Sequence, residues 1–178
     1  MKFLAPSEWQ AWCVGSGVPL RQAGWLRPDL TVDPYHVVDI PIDLDAGRKV
    51  YLAGELCSLV KPSPQTLLLL DDWAVWSEMH RMPLFTRFRA ALGEERPLIE
   101  APGHLVSEVD RDDALSIVTA ALLFSWDCYG IADGGGHGFY FSHDDYCQFA
   151  SRDPDLAAEV ERRFAGDGRR RGTVFPQA

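Results

Sequence analysis

The residues of this chain best suited to chemistry lie between Leu123 and Cys147, where two short aromatic runs flank the connection Asp133-Gly-Gly-Gly-His-Gly138. The second run ends in Ser142-His143-Asp144-Asp145. A histidine beside carboxylates can be held in one tautomer and serve as a general base. Cys128, facing it across a hairpin, would supply a thiolate nucleophile, with Asp127 or Asp144 orienting the ring and Arg87 or Arg89 holding an anionic substrate. Such a set describes a small hydrolase or transferase. The same residues also read as structure. Ser142 and Asp145 have the spacing of a capping box, with Asp in place of Glu or Gln, so the strand would end at Phe141 and a short helix begin there. Its acids would then sit in the first turn, where the helix dipole favours them. The capping reading is preferred, and no residue is assigned a catalytic role.

Other chemistries fit less well. His137 and His143 are six apart, and on one strand they would stand about 20 Å from each other, so no shared metal is expected. Gly134 to Gly138 lacks the lysine and the following helix of a phosphate loop; it links two β-like runs, reads as a hairpin loop and implies no cofactor. Pro102-Gly103 suits a type II turn that would leave His104 at a solvated edge. Trp73 and Trp76, with Glu78 and Arg87 or Arg89, form an aromatic and charged group of the kind found at binding hot spots.

The elements that must position these residues can be sketched. Ser7 and Gln10 have capping-box spacing before a short helix over about 8–14, and 15–34 reads as irregular. His36 to Asp43 reads as a strand, with Pro41 placing it at a sheet edge; 49–60 is open between helix and strand. Thr66 to Asp72 is a buried strand. Pro83 opens a helix with the stripe Leu84, Phe85, Phe88, Ala91 and Leu92, stopped by Gly93, and Arg87 and Arg89 fall off that stripe. A helix from Asp110 or Arg111 to Leu122 is almost wholly apolar and runs into a strand over 124–131. Asp153 caps a last helix with Pro154 at its first position and Leu156, Val160 and Phe164 on one face. Glu159 and Arg163 are spaced for a surface ion pair on it. The fold class expected is α+β: one mixed domain over 1–166 with a central, largely antiparallel sheet flanked by helices, then a flexible tail over 167–178.

Composition narrows the function. The 178 residues are 47% hydrophobic and 24% charged, the balance of a folded domain that can bury a core. The formal net charge of −9 opposes nucleic-acid binding, which needs cations along the phosphates. No apolar run approaches a bilayer's thickness and no leader pattern opens the chain, so a cytoplasmic location is expected, with no membrane partner. Cys13, Cys57, Cys128 and Cys147 form no Cys-x-x-Cys pair and read as free thiols.

The order Trp76, Glu78, Arg87, Arg89, Gly93, then Pro102-Gly103-His104, Trp126-Asp127 and Ser142-His143-Asp144-Asp145 resembles a group of small uncharacterised bacterial proteins across 66–150. That group ends the last motif in Glu, so Asp145 departs from it. The resemblance implies no activity. By analogy with small acidic proteins of this kind, it implies an immunity partner of a secreted toxin. The function expected is therefore binding of a protein, such as a basic toxin domain, through an acidic and aromatic surface. The residues expected to form it are Trp76, Glu78, Arg87, Arg89, His104, Trp126, Asp127, Tyr129, Tyr140, His143, Asp144, Asp145 and Tyr146.

Overall fold

Thr66–Leu70 is buried at every position, and this strand, β5, lies inside a seven-stranded sheet. The computed structural model describes residues 1–23, 25–61, 64–71 and 82–165. The remaining strands are β1 (Lys2–Leu4), β2 (Leu20–Ala23), β3 (Trp25–Pro28), β4 (His36–Pro41), β6 (Gly103–Val106), β7 (Cys128–Ala132), β8 (His137–Phe141) and β9 (Tyr146–Ser151). The sheet order is β1-β6-β5-β7-β8-β9-β4, antiparallel at every pairing, with β2 and β3 as a separate hairpin. Among the described residues five α-helices complete the fold: α1 (Pro6–Gly15), α2 (Ala46–Leu59), α3 (Pro83–Ala91), α4 (Arg111–Leu123) and α5 (Pro154–Ala165). The protein is a single mixed α+β domain whose sheet is flanked by helices.

Side chains alternate across a strand, so β5 feeds two cores at once. Leu68 and Leu70 join a cluster with Leu56, Ile117, Val118, Phe139, Phe149 and Val160, under α2 to α5. Leu67 and Leu69 join Trp9, Cys13, Leu30, Tyr129 and Ile131, under α1 and the segment after β3. Each fully buried leucine contributes about 1.5–3 kcal/mol, so neither face can be left bare.

Several expectations hold in place but not in detail. The first helix starts at Pro6, with Ala5 at its N-cap and Glu8, not Gln10, reaching back to the Ala5 N–H at 2.8 Å. Part of the span read as irregular is the β2–β3 hairpin, and 46–59 is helix, begun by Asp45 accepting from the Arg48 N–H. Pro41 does end an edge strand. On α3, Leu84 is exposed and Arg89 is buried, the reverse of their expected places. The strand after α4 begins at Cys128, because Phe124–Asp127 turns through Ser125 at φ 54°. Asp153 caps α5 as expected, but Arg163 pairs with Glu55 on α2 and not with Glu159. The expected tail lies outside the described residues.

Two buried positions carry unusual demands. Gly130 pairs with Phe139 across β7 and β8, and a Cβ at Gly130 would lie 2.2 Å from that ring. His104, expected in a solvated turn, sits in β6 at 0% exposure, because the turn before it is made by Pro97–Glu100. Its ring lies 5.4 Å from that of Phe3 and 6.3 Å from that of Phe85, and neither nitrogen has a side-chain hydrogen-bond partner. Burial pushes its pKa down to about 3, helped by the Arg89 charge and opposed by the backbone at Leu68 and Pro102.

Two outcomes follow from these positions. Gly130→Ala costs about 1–3 kcal/mol in urea unfolding, because Phe139 is packed on both sides and cannot give way. An unchanged urea midpoint would show that the ring has room. His104 takes up its proton near 6.5 when unfolded but only near 3 when folded. Its contribution is complete above the higher value and lost as pH falls toward the lower, at a limiting slope of about 1.4 kcal/mol per pH unit. His104→Leu therefore flattens the acid limb of the stability curve relative to the parent, and parallel limbs would rule out a neutral buried ring.

Candidate functional site

Asp127 precedes β7 at the mouth of the sheet, 2% exposed, and both carboxylate oxygens are engaged. Oδ2 accepts from the Tyr140 hydroxyl at 2.7 Å. Oδ1 accepts from the His143 backbone N–H at 2.8 Å and lies 2.7 Å from His143 Nδ1. A carboxylate accepts only, so Nδ1 carries the hydrogen and the imidazole is held in one tautomer, with Nε2 on the far side of the ring, 3.6 Å from Asp144 Oδ1. The sequence places these groups together by strand register. Tyr129 lies opposite Tyr140 with ring centroids 4.4 Å apart; the next pair, Cys128 and Phe141, points to the other face, and the residues that follow on the tyrosine face are Asp127 and Ser142.

Ser142–Asp145 is a turn between β8 and β9, not the start of a helix. Ser142 donates to the Tyr146 carbonyl at 2.9 Å, and Asp145 donates back to the Ser142 carbonyl at 3.2 Å. Asp145 adopts φ 59°, the left-handed position that lets a tight hairpin close. The capping-box spacing misled because Asp, Asn and Ser favour tight turns as strongly as helix starts, and the strand pairing of 146–151 decided between them. The Asp145 carboxylate stands 3.8 Å from Lys49 Nζ, a nearly buried amine on α2.

The other expected site residues are dispersed. Cys128 faces the helix-side core with Phe141 and Cys147, on the opposite face of the sheet from Tyr129 and Tyr140, and burial pushes its thiol well up. It therefore does not meet His143. Trp126 is 1% exposed and packs edge-on against Phe85 at 5.0 Å. Arg89 is a strut: it donates to the carbonyls of Arg96 at 3.0 Å and Ala101 at 2.7 Å. Arg87 is exposed on α3, His104 is in the core, and Trp73, Trp76 and Glu78 lie outside the described residues. Tyr129 is too buried to act as a surface anchor and Tyr140 is half-buried; burial raises both phenols, with Asp127 adding to the shift at Tyr140. Tyr146, Asp144 and Asp145 are exposed, as expected of a binding surface.

Three partners at this mouth went unread in the sequence. Asp71 follows β5, donates its N–H to the Asp127 carbonyl at 3.0 Å, and pairs with Arg27 of β3 at 3.1 Å. Lys49 gave no signal at all, since it looks like any helix lysine. Asp71 did: an acid at the end of a strand buried on both faces needs a partner. Among the described residues no group of three or more His, Cys, Asp or Glu is arranged to hold a metal ion. No helix among them is long and apolar enough to cross a membrane.

Comparison of the chain with protein-family models, curated proteins and solved structures finds no match. The geometry of the mouth is thus the ground for a functional reading. Asp127→Ala strands a half-buried hydroxyl and a backbone N–H together, and is expected to cost about 1–3 kcal/mol and to speed amide exchange in the 142–145 turn. Tyr140→Phe removes one bond only and costs about 1 kcal/mol with the turn amides unchanged. Equal effects of the two variants on the turn would show that Asp127 does not hold it.

Proposed function

We propose that this chain is a non-enzymatic binding protein of the bacterial cytosol, of the immunity type, which inhibits a toxin by holding a basic surface of it. The observation that carries the reading is the Asp127 clamp. It fixes a turn whose outward residues are Asp144, Asp145 and Tyr146, so little is lost in ordering that turn when a partner arrives. Leu44, 78% exposed on the segment leaving β4, adds an apolar contact beside the acids Asp43 and Asp45. Acids of one sign around a few apolar side chains suit fast association with a basic partner.

The test is coexpression with the product of the adjacent gene. The expected result is a complex on size exclusion and rescue of cells that make the neighbour. The pair Asp144→Lys with Tyr146→Ala should weaken the complex about tenfold or more, and added salt should narrow the difference. Separate elution with no rescue rejects the reading.

The His143–Asp127 contact favours a second reading, a hydrolase or transferase in which His143 is the base and Asp127 its orienter. Cys128, buried across the sheet, is not available to it as a nucleophile. In that case His143→Gln removes turnover of a substrate.

A further inference from the structure

Strand β4 closes one end of the sheet, and among the described residues nothing pairs with its outer edge. Which backbone groups that edge offers follows from the hairpin beside it. Ser142 donates to the Tyr146 carbonyl, so residue 146 directs its N–H and C=O toward β8. In an antiparallel ladder this direction alternates. Residues 148 and 150 therefore also point to β8, and 147, 149 and 151 point to β4. The Arg152 N–H, which donates to Gly136 at 2.8 Å, keeps the same alternation. The partners of 147, 149 and 151 on β4 are Ile40, Val38 and His36. Val37, Asp39 and Pro41 consequently face outward: two N–H donors and three carbonyl acceptors in a row. Pro41 falls where its missing N–H breaks no existing bond.

The chemistry around this edge selects an occupant. Asp39 stands in its middle, Asp43 and Asp45 follow its end, and Asp144 lies in the neighbouring turn. Of the nearby cations, Arg48 and Lys49 are taken up by Asp43 and Asp145, and Arg21 lines the hollow beside Val37 and Tyr146, so Asp39, Asp45 and Asp144 set the sign of the edge itself. A second copy of the chain is disfavoured, because a two-fold pairing centred on Asp39 would set Asp39 against Asp39 in a chain already at −9. Charge complementarity instead favours lysine or arginine on the incoming strand. Val37, 40% exposed, and Tyr146, 41% exposed, lie on one face of this corner and give its alternate side chains apolar contact.

We propose that the free edge of β4 is a strand-addition site for an extended basic segment of a protein partner, which pairs with Val37, Asp39 and Pro41. The proposal rests on the binding function above for the nature of the partner and names the element that recognises it.

The test uses the whole protein and a short acetylated peptide in which arginine alternates with threonine, followed by residue-resolved amide exchange. The peptide should slow exchange at Val37 and Asp39 by about tenfold or more, while Val38 and Ile40, already bonded to β9, change little. An N-methylated version keeps the charge but loses one edge of donors, and a glutamate-for-arginine version reverses the charge; neither should protect. Protection by the N-methylated peptide would reduce the effect to charge attraction and overturn the proposal. Protection that appears with protein concentration alone would assign the edge to a second copy and overturn it too. No protection by any peptide would leave Asp39 and Pro41 as guards against edge pairing only. Val37→Pro, which removes an outward donor, should abolish the effect with a small change in melting temperature. Failure to find a complex with the adjacent gene's product leaves this peptide readout standing, so the two ideas can fail separately.

Discussion

Strands β5 and β7 are apolar on both faces, and a sheet with such a centre has to be covered twice. Among the described residues four helices cover one side, and α1 with the segment around the β2–β3 hairpin covers the other. The second cover is the smaller. It reaches Leu67, Leu69, Tyr129 and Ile131 but leaves the corner formed by β4 and β9 with Val37, Asp39 and Tyr146 exposed. The unequal covering is thus what leaves this protein a surface.

Two-sided burial also dictates how polar groups are treated at the sheet's ends. Thr66 donates to the Val60 carbonyl at 2.6 Å, Arg89 to two carbonyls, and Asp127 takes three donors. A buried polar group costs little when bonded and much when it is not. His104 and the Trp126 indole N–H are the contrast, buried without side-chain partners on the helix side. They sit among the rings of Phe3, Phe85 and Phe124. The satisfied acid lies beside exposed residues and the unsatisfied ring lies deep, so the former reads as display and the latter as packing.

Much of the fold was legible because it follows from local chemistry. Pro83 and Gly93 bracket a helix, Asp153-Pro154 starts one, and the leucines after Thr66 can only be a strand in a core. Glycines 134 and 135, at φ 73° and 60°, make the predicted connection between β7 and β8. Less of the site was legible. Arg89 and His104 are polar, and polarity suggested surface, yet each is buried because a distant segment folds over it: residues 96–101 over Arg89, and β1 with α3 over His104. Ser142–Asp145 carries the same residue preferences as a helix start, and only pairing with β4 and β8 makes 146–151 a strand.

The sequence by itself determined the class of fold, the places of most elements, the edge position of β4 and the acidic character of the chain, because these depend on neighbours a few residues apart and on totals. Tertiary structure decided the rest: that Asp127 binds Tyr140 and His143, that Cys128 faces away from them, and that Asp71 meets Arg27. Each of these is set by strand register and by which face of the sheet a residue takes. A shift of one residue reverses both, and nothing local to these residues specifies it.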